Sequence, residues 1–216
     1  MNSAPPPAEP ARRPGGRTAR IRDQVLEAVS AELTEHGYDA LSIDAVAARS
    51  GVHRATVYRR WHDVGGLLAD VFDAASQQPW EPRDTGSLRG DLAALNQEIQ
   101  DSLSEESSIA VALIAVSFRS EEAARALRRL WEDRYAQSEI IIQRAVQRGE
   151  LAPEVDARAL LIAATAPLYH QLVLLRTPPD SHLPDRAAVS AALAAAAGAF
   201  VPSANAFTPP RSVGTD

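Results

Sequence analysis

The chain has 216 residues, a formal net charge of −6 at pH 7 and no cysteine. Its length allows one or two domains with a buried core. The lack of cysteine excludes disulfide scaffolds, cysteine-ligated zinc or iron–sulfur sites, and thiol catalysis.

Charge is unevenly distributed along the chain, and every basic residue is arginine. Residues 11–62 contain nine arginines and six acidic residues, a balance of +3, whereas residues 63–216 have a balance of −8. A basic segment within an acidic chain indicates a polyanionic partner for that segment.

Two features bear on compartment and membrane. The first ten residues lack the basic start and the apolar stretch of a secretory signal. The longest apolar run, Ala191–Val201, has eleven residues, whereas a helix needs about 20 to cross a bilayer. We therefore expect a cytoplasmic protein that makes no membrane contact.

Apolar residues recur with helical period along most of the chain, and no segment has the alternation typical of strands. Residues 1–16 and 202–216 are rich in proline and polar residues, which predicts a disordered arm and a disordered tail. Between them the period predicts an all-α fold of about nine helices. In chain order, we expect these helices near residues 17–36, 43–50, 54–61, 64–75, 88–103, 109–118, 121–148, 156–176 and 185–200.

The segment Leu41–Leu68 has the pattern of a helix-turn-helix, in which a glycine-containing turn joins two short helices. Ser42 is suited to cap the first of these helices. Ala47 is small enough to let the two helices approach, and Gly51 tolerates the positive φ of a tight turn. Val57 is then expected to pack the second helix inward.

The outward face of the second short helix consists of polar and basic side chains and has no acidic residue. The alternative is an ordinary solvated face, but such faces mix positive and negative charges. A helix of this kind can lie in the major groove, with its first side chains at base edges and its later ones at phosphates. The outward side chains are those of His53, Arg54, Thr56, Tyr58, Arg59 and Arg60.

The stretch D-A-V-A-A-R-S-G-V-H-R-A-T-V-Y-R-R-W, preceded by a long amphipathic helix, resembles the TetR family of transcriptional regulators. The resemblance implies a three-helix DNA-binding domain over residues 17–63 and an effector-binding and dimerisation domain over residues 64–201. It further implies a homodimer on a palindromic double-stranded DNA operator, and repression that a small-molecule effector relieves. In the alternative, the C-terminal domain binds a protein partner or only dimerises, with no effector.

The resemblance also assigns DNA contacts to individual residues. Ser42 and Tyr58 would touch phosphates, and Arg17 and Arg20 would add phosphate or minor-groove contacts. One position departs from the family pattern: Val64 stands where a lysine is usual, so a phosphate contact is expected to be missing. Bases or the nearby backbone would be faced by Arg54, Ala55, Thr56 and Arg59, with His53 and Arg60 beside them.

The C-terminal part is similar to an actinobacterial TetR subgroup through RAVQRGEL (Arg144–Leu151) and APLYHQLVLL (Ala166–Leu175). In that subgroup the last two long helices form the dimer interface. The corresponding helices here carry more apolar residues than one core face needs, and their alanines permit close packing between subunits.

In the TetR family the effector lies within the C-terminal domain, among helices four to eight. Aromatic or polar residues in otherwise apolar helices are the candidates, although aromatic residues at helical spacing also occur as plain core. A bend at Pro167 would open space beside two of them. The candidates to line a pocket for a small apolar or aromatic effector are Trp80, Phe118, Trp131, Tyr135, Tyr169 and His170.

An α-helical enzyme is the remaining alternative, and the sequence gives it little support. Catalysis needs converging titratable groups, whereas acidic pairs such as Glu121 and Glu122 are adjacent and point apart on a helix. The five histidines have no metal-ligand spacing, and no phosphate-binding glycine motif occurs. We therefore expect no enzymatic activity, no metal and no cofactor.

Overall fold

The computed structural model describes residues 16–76, 80–105 and 108–202, and over these ranges the chain is helical with no strand. The all-α prediction is confirmed. The predicted arm and tail lie outside the described residues, except at their inner edges. The nine helices of the described ranges are α1 (Gly16–His36), α2 (Ile43–Ser50), α3 (Arg54–Trp61), α4 (Val64–Ser76), α5 (Leu88–Ser104), α6 (Ile109–Ser117), α7 (Glu121–Gln147), α8 (Ala157–Tyr169) and α9 (Leu183–Ala196).

Short polar side chains begin most of these helices, because they satisfy backbone N–H groups that have no partner within the helix. Ser42 and Ser120, the two caps predicted from the sequence, accept hydrogen bonds from the N–H groups of Ala45 and Ala123. The same role is filled for α5, α6 and α8 by Ser87, Ser108 and Asp156.

The first three helices pack around a small core and are held in place by an ion pair. Gly51 has a φ of 67° and separates α2 from α3 in the left-handed conformation that the sequence predicted. Arg49 of α2 donates a hydrogen bond of 2.6 Å to the buried Glu32 of α1. The fully buried valines of this core are Val25, Val29, Val46 and Val57.

Asp70 of α4 is bonded to two other helices. Its Oδ1 accepts two hydrogen bonds from the guanidinium of Arg22 in α1, at 2.9 and 2.6 Å. Its Oδ2 accepts one from the indole N–H of Trp61 in α3, at 2.8 Å. Burial alone would raise the pKa of Asp70, but these hydrogen bonds and the charge of Arg22 lower it. Asp70 is therefore ionised and joins α1, α3 and α4.

The start of α4 passes close to the end of α3. A Cβ atom at Gly66 would lie 2.1 Å from the carbonyl oxygen of Trp61, so a larger residue would push the two helices apart. Asp63 accepts a hydrogen bond of 2.9 Å from the N–H of Gly66 and caps this helix start. Val64 is half-buried against the core of the N-terminal half.

The long helix α7 belongs to both large hydrophobic clusters of the molecule. Ala123 in its first half packs with residues of α1–α4 and α6. Ile141 in its second half packs with residues of α5, α8 and α9. The predicted domain boundary after residue 63 therefore lies beside a core that continues from the first three helices into α4, α6 and α7.

The sequence prediction for α8 was too long. The helix ends at Tyr169, and residues 170–174 form a π-turn in which the N–H of Leu175 bonds to the carbonyl of His170. Pro167 lacks an N–H and disturbs the helical hydrogen bonds in the preceding turn, and the wider π-turn follows three residues later.

We expect replacement of Asp70 by asparagine to lower the free energy of unfolding by about 2 kcal/mol near pH 7, since the charged hydrogen bonds from Arg22 are lost. Because the pKa of Asp70 is lowered in the folded protein, its contribution is complete above the unfolded value of about 3.9 and is lost as the pH falls through the folded value. Urea unfolding at several pH values measures the difference between variant and parent.

That difference should shrink as the pH falls below the unfolded value, toward the lowered folded value. Asp133→Asn, at an exposed position of α7, is the control and should change stability little. A D70N variant as stable as the parent near neutral pH would contradict the role of Asp70.

Candidate functional site

The surface of α3 divides into a buried side and an exposed side. Val57 and Trp61 point inward and are almost completely buried. Thr56 is half-buried, and Tyr58 has 56% of its surface exposed. The fully outward residues also include His53, Arg54, Ala55, Arg59 and Arg60. The structure therefore brings the α3 residues predicted from the sequence together on one exposed face.

Two of these side chains already have partners at the start of α3. Arg54 forms an ion pair with Asp44 of α2, and both side chains are about two-thirds exposed, at 64% and 69%. His53 caps the helix, with its Nδ1 accepting a hydrogen bond from the N–H of Ala55 at 3.3 Å. An accepting Nδ1 leaves the other ring nitrogen of a neutral histidine as a donor toward solvent.

The arginines at the end of α3 and at the start of α1 have different surroundings. Arg60 lies 5.0 Å from the ring centre of Trp61 and reaches the carbonyl of Thr18 in α1 at 3.5 Å. Arg20 of α1 is exposed. The side chain of Arg17 lies outside the described residues. The start of α1 thus lies beside the end of α3.

Ser42 has a structural role that the sequence also predicted. Its hydroxyl oxygen accepts a hydrogen bond from the N–H of Ala45 at 3.1 Å and caps α2. The hydroxyl hydrogen stays available, because a serine hydroxyl donates and accepts at the same time.

A cavity of about 400 Å³ lies within the C-terminal half of the molecule. Its wall is formed by side chains from α4, α5, α6, α7 and α8 and by Trp80, which precedes α5. Most of the wall is apolar. The volume falls within the range of about 300–1,000 Å³ that is usual for small-molecule sites.

Four of the six aromatic or polar candidates line this cavity, and three of them are in contact. The rings of Trp131 and Tyr169 meet edge to face with centres 5.1 Å apart, and Trp131 and Tyr135 are 6.0 Å apart. Trp80 is the fourth candidate in the lining. Burial, with the nearby Tyr135, raises the pKa of the Tyr169 phenol, which therefore keeps its proton as a donor.

The other two candidates do not reach the cavity. His170 is exposed, because it follows Ala166 on the outward face of α8, whereas Tyr169 lies on the face that lines the cavity. Phe118 is 76% exposed at the end of α6. It lines a second, more open cavity of about 720 Å³ between the end of α1, α6 and residues 172–176. The expectation that they share a pocket with the other four is corrected accordingly.

Two charged residues of the cavity wall, Glu98 and Arg134, were missed by sequence reasoning, which considered aromatic residues and polar residues in apolar stretches. Glu98 accepts a hydrogen bond of 2.9 Å from the indole of Trp80. Arg134 donates one of 3.1 Å to the carbonyl of Ala75, in the last turn of α4. The signal that could have found Arg134 is its helical spacing of three residues from Trp131, which places both on one face of α7.

The outer sides of α8 and α9 carry apolar residues that are exposed in the single chain. Ile162 is 44% exposed and Leu193 67%. Their exposed neighbours are Ala163, Ala166 and Ala196. By length and composition, Ala157–Leu174 would qualify as a membrane span, and 28% of it is buried within this chain. A soluble helix with one apolar outer face meets the same criterion.

Within the described part of the chain, no group of three or more histidine, aspartate or glutamate side chains is placed to hold a metal ion.

Comparison with known proteins gives two family matches. Residues 25–71 match the family described as bacterial regulatory proteins, tetR family. Residues 82–197 match the family described as tetracyclin repressor-like, C-terminal domain. The two matches together cover the helix-turn-helix and the part of the chain that surrounds the cavity.

Individual relatives agree with the family matches. The HTH-type transcriptional regulator AqdR of Rhodococcus erythropolis is 33% identical over 174 residues, which cover 79% of this chain and 83% of AqdR. The DNA-binding transcriptional repressor TetR of Mycobacteroides abscessus is 34% identical over 158 residues, 71% of this chain and 83% of that protein. The solved structure of the TetR family transcription regulator SCO0332 covers 80% of this chain and 97% of its own, with 26% identity and a TM-score of 0.59.

Proposed function

We propose that this chain, which belongs to the TetR family of DNA-binding transcriptional regulators, is a homodimeric cytoplasmic repressor that a small-molecule effector releases from a palindromic operator. The observation that carries the proposal is the exposed face of α3, on which three arginines stand with no acidic residue in the helix. Such a face is complementary to the phosphates and base edges of the major groove.

On this proposal the first turn of α3 reads bases and the later residues position the helix. Arg54 and Thr56 lie at the end of α3 that enters the groove, and Arg54 leaves its exposed pair with Asp44 to reach a base edge. Tyr58 and the hydroxyl of Ser42 donate to phosphates. Contacts to phosphate fix the orientation of the protein, while contacts to base edges give sequence preference.

The dimer is proposed to form through the outer faces of α8 and α9. The exposed Ile162 and Leu193 support this, because large apolar side chains exposed on both helices favour burial against a second subunit. The exposed alanines next to them permit close helix approach. A two-fold axis there would present two copies of α3 to successive major grooves about 34–36 Å apart.

The cavity favours an effector over the alternative in which the C-terminal domain binds a protein partner or only dimerises. A domain that only dimerises needs no cavity, whereas this one has a partly open cavity of about 400 Å³ whose wall includes aromatic rings. The wall includes Ala75 of α4, the helix that contacts α3. An effector that changes the position of α4 would shift the population of dimers whose two α3 helices fit the operator.

Selection of bound DNA duplexes from a random-sequence library, at two salt concentrations, tests whether the exposed face of α3 recognises a DNA sequence. We expect a palindromic motif whose binding weakens steeply as salt rises, since phosphate contacts release counterions. Arg54→Ala should weaken operator binding by about 1–3 kcal/mol and relax the preference at one base position in each half-site.

Tyr58→Phe is the matched variant for a phosphate contact and should weaken binding about equally on all sequences. An unchanged base preference in R54A would remove Arg54 as a reader of sequence. A loss in Y58F that depends on sequence would contradict its phosphate role.

Leu193→Glu should convert the dimer into monomers of 23.2 kDa, because a charge would have to be buried in an apolar interface. Sedimentation measures the change, and operator affinity should fall with it. Ala136→Glu, at an exposed position of α7, is the control and should leave the dimer intact. A dimeric L193E variant would place the interface elsewhere.

Ala110→Phe should fill part of the cavity and prevent effector binding without weakening operator binding. A panel of small aromatic compounds, screened by thermal unfolding, should raise the Tm of the parent chain but not of this variant. Ala136→Phe, outside the cavity, is the control and should respond as the parent does. Compounds that stabilise parent and A110F equally would show that they bind at another place.

A further inference from the structure

The two charged residues of the cavity wall, Glu98 and Arg134, differ in whether the protein supplies a nearby opposite charge. Glu98 is near two donors: its Oε2 accepts the hydrogen bond from Trp80, and its Oε1 lies 3.5 Å from the guanidinium of Arg83. The negative charge of this residue is therefore offset by a positive group of the protein itself.

Arg134, by contrast, has neutral partners. Its Nη2 donates to the carbonyl of Ala75 at 3.1 Å, and its Nη1 to the amide oxygen of Gln137 at 3.4 Å. The guanidinium carbon lies 5.6 Å from the ring centre of Trp80. Within residues 16–76, 80–105 and 108–202, no carboxylate lies within 4.0 Å of this guanidinium. A half-buried positive charge on an apolar wall favours an anion that enters the cavity.

The remaining wall indicates the body of such a ligand. Trp131 and Tyr169 present an edge-to-face pair of rings, and such surfaces accommodate a flat aromatic group. From the guanidinium and these rings together, we propose that the effector is an aromatic carboxylate whose carboxylate binds Arg134. This inference rests on the proposed function and names the chemical class of its effector.

Binding at Arg134 also has a consequence for α4. A carboxylate is a stronger acceptor for a guanidinium than a backbone carbonyl, and a bidentate pair fixes the plane of the guanidinium. Turning the guanidinium toward the carboxylate lengthens its hydrogen bond to the carbonyl of Ala75, in the last turn of α4. The anion therefore weakens a contact of the helix that carries Asp70.

A matched pair of ligands tests the proposal on the full-length dimer. 2-Naphthoate and 2-naphthamide have nearly the same shape, but at neutral pH only the first carries a charge. Isothermal titration calorimetry should give a dissociation constant for naphthoate about tenfold or more below that for naphthamide. Naphthoate should also displace the protein from its operator.

Substitutions then assign the preference to one side chain. Arg134→Gln should remove it, so that both compounds bind with similar affinity, whereas Arg134→Lys should keep part of it. Arg158→Gln is the matched control: Arg158 is also half-buried and lies 4.1 Å from the ring centre of Tyr135, but it does not line the cavity. Both ligands should bind R158Q as they bind the parent.

Three outcomes would overturn the inference: equal binding of the two compounds by the parent, a naphthoate preference that survives in R134Q, or no binding of either compound. None of these outcomes contradicts the proposed repressor function, because operator selection and release by other compounds are measured in separate experiments. Equal binding that A110F abolishes would keep the cavity as the effector site and reject only the anionic class.

Discussion

The arrangement of the DNA-binding helices depends on the hydrogen bonds that the carboxylate of Asp70 accepts. It lies on α4 and bonds to Arg22 of α1 and to Trp61 at the end of α3. The indole places the last turn of α3, while Gly66 permits α4 to pass directly against it. The exposed face of α3 is thus oriented by a group that belongs to the next helix, and a shift of α4 is transmitted to α3 through short hydrogen bonds.

Helix α4 connects the exposed face of α3 to the cavity. Asp70 faces α1 and α3, and the carbonyl of Ala75, five residues further on, accepts the hydrogen bond from Arg134 on the cavity wall. A rise of about 1.5 Å per residue puts these two contacts within about 8 Å along the helix axis. A rigid helix of this length cannot move at one contact without changing the other. The first hydrophobic cluster supports the connection, because it includes α4 together with the first half of α7.

The sequence was sufficient for features that depend on local spacing. Apolar period and capping residues placed the nine helices of the described ranges, and the face of α3 followed from the inward position of Val57. Contacts between distant parts of the chain were not predictable in this way: Arg134 meets a carbonyl 59 residues away. The π-turn after Tyr169 was also missed, because the spacing of apolar residues predicts only a regular α-helix.

The net charge of the mildly basic N-terminal segment does not show which of its arginines can bind DNA. The carboxylate partners of each arginine within the fold do. Arg22 and Arg49 have short hydrogen bonds to carboxylates within the fold, at 2.6 Å each, and are used to hold helices together. Arg59 has no carboxylate within 4.0 Å among the described residues. Arg54 is intermediate, since its partner Asp44 is as exposed as Arg54 itself, and a pair in water contributes at most about 1 kcal/mol. Phosphates or base edges can therefore take Arg54 from Asp44 at small cost, whereas Arg22 and Arg49 stay in the fold.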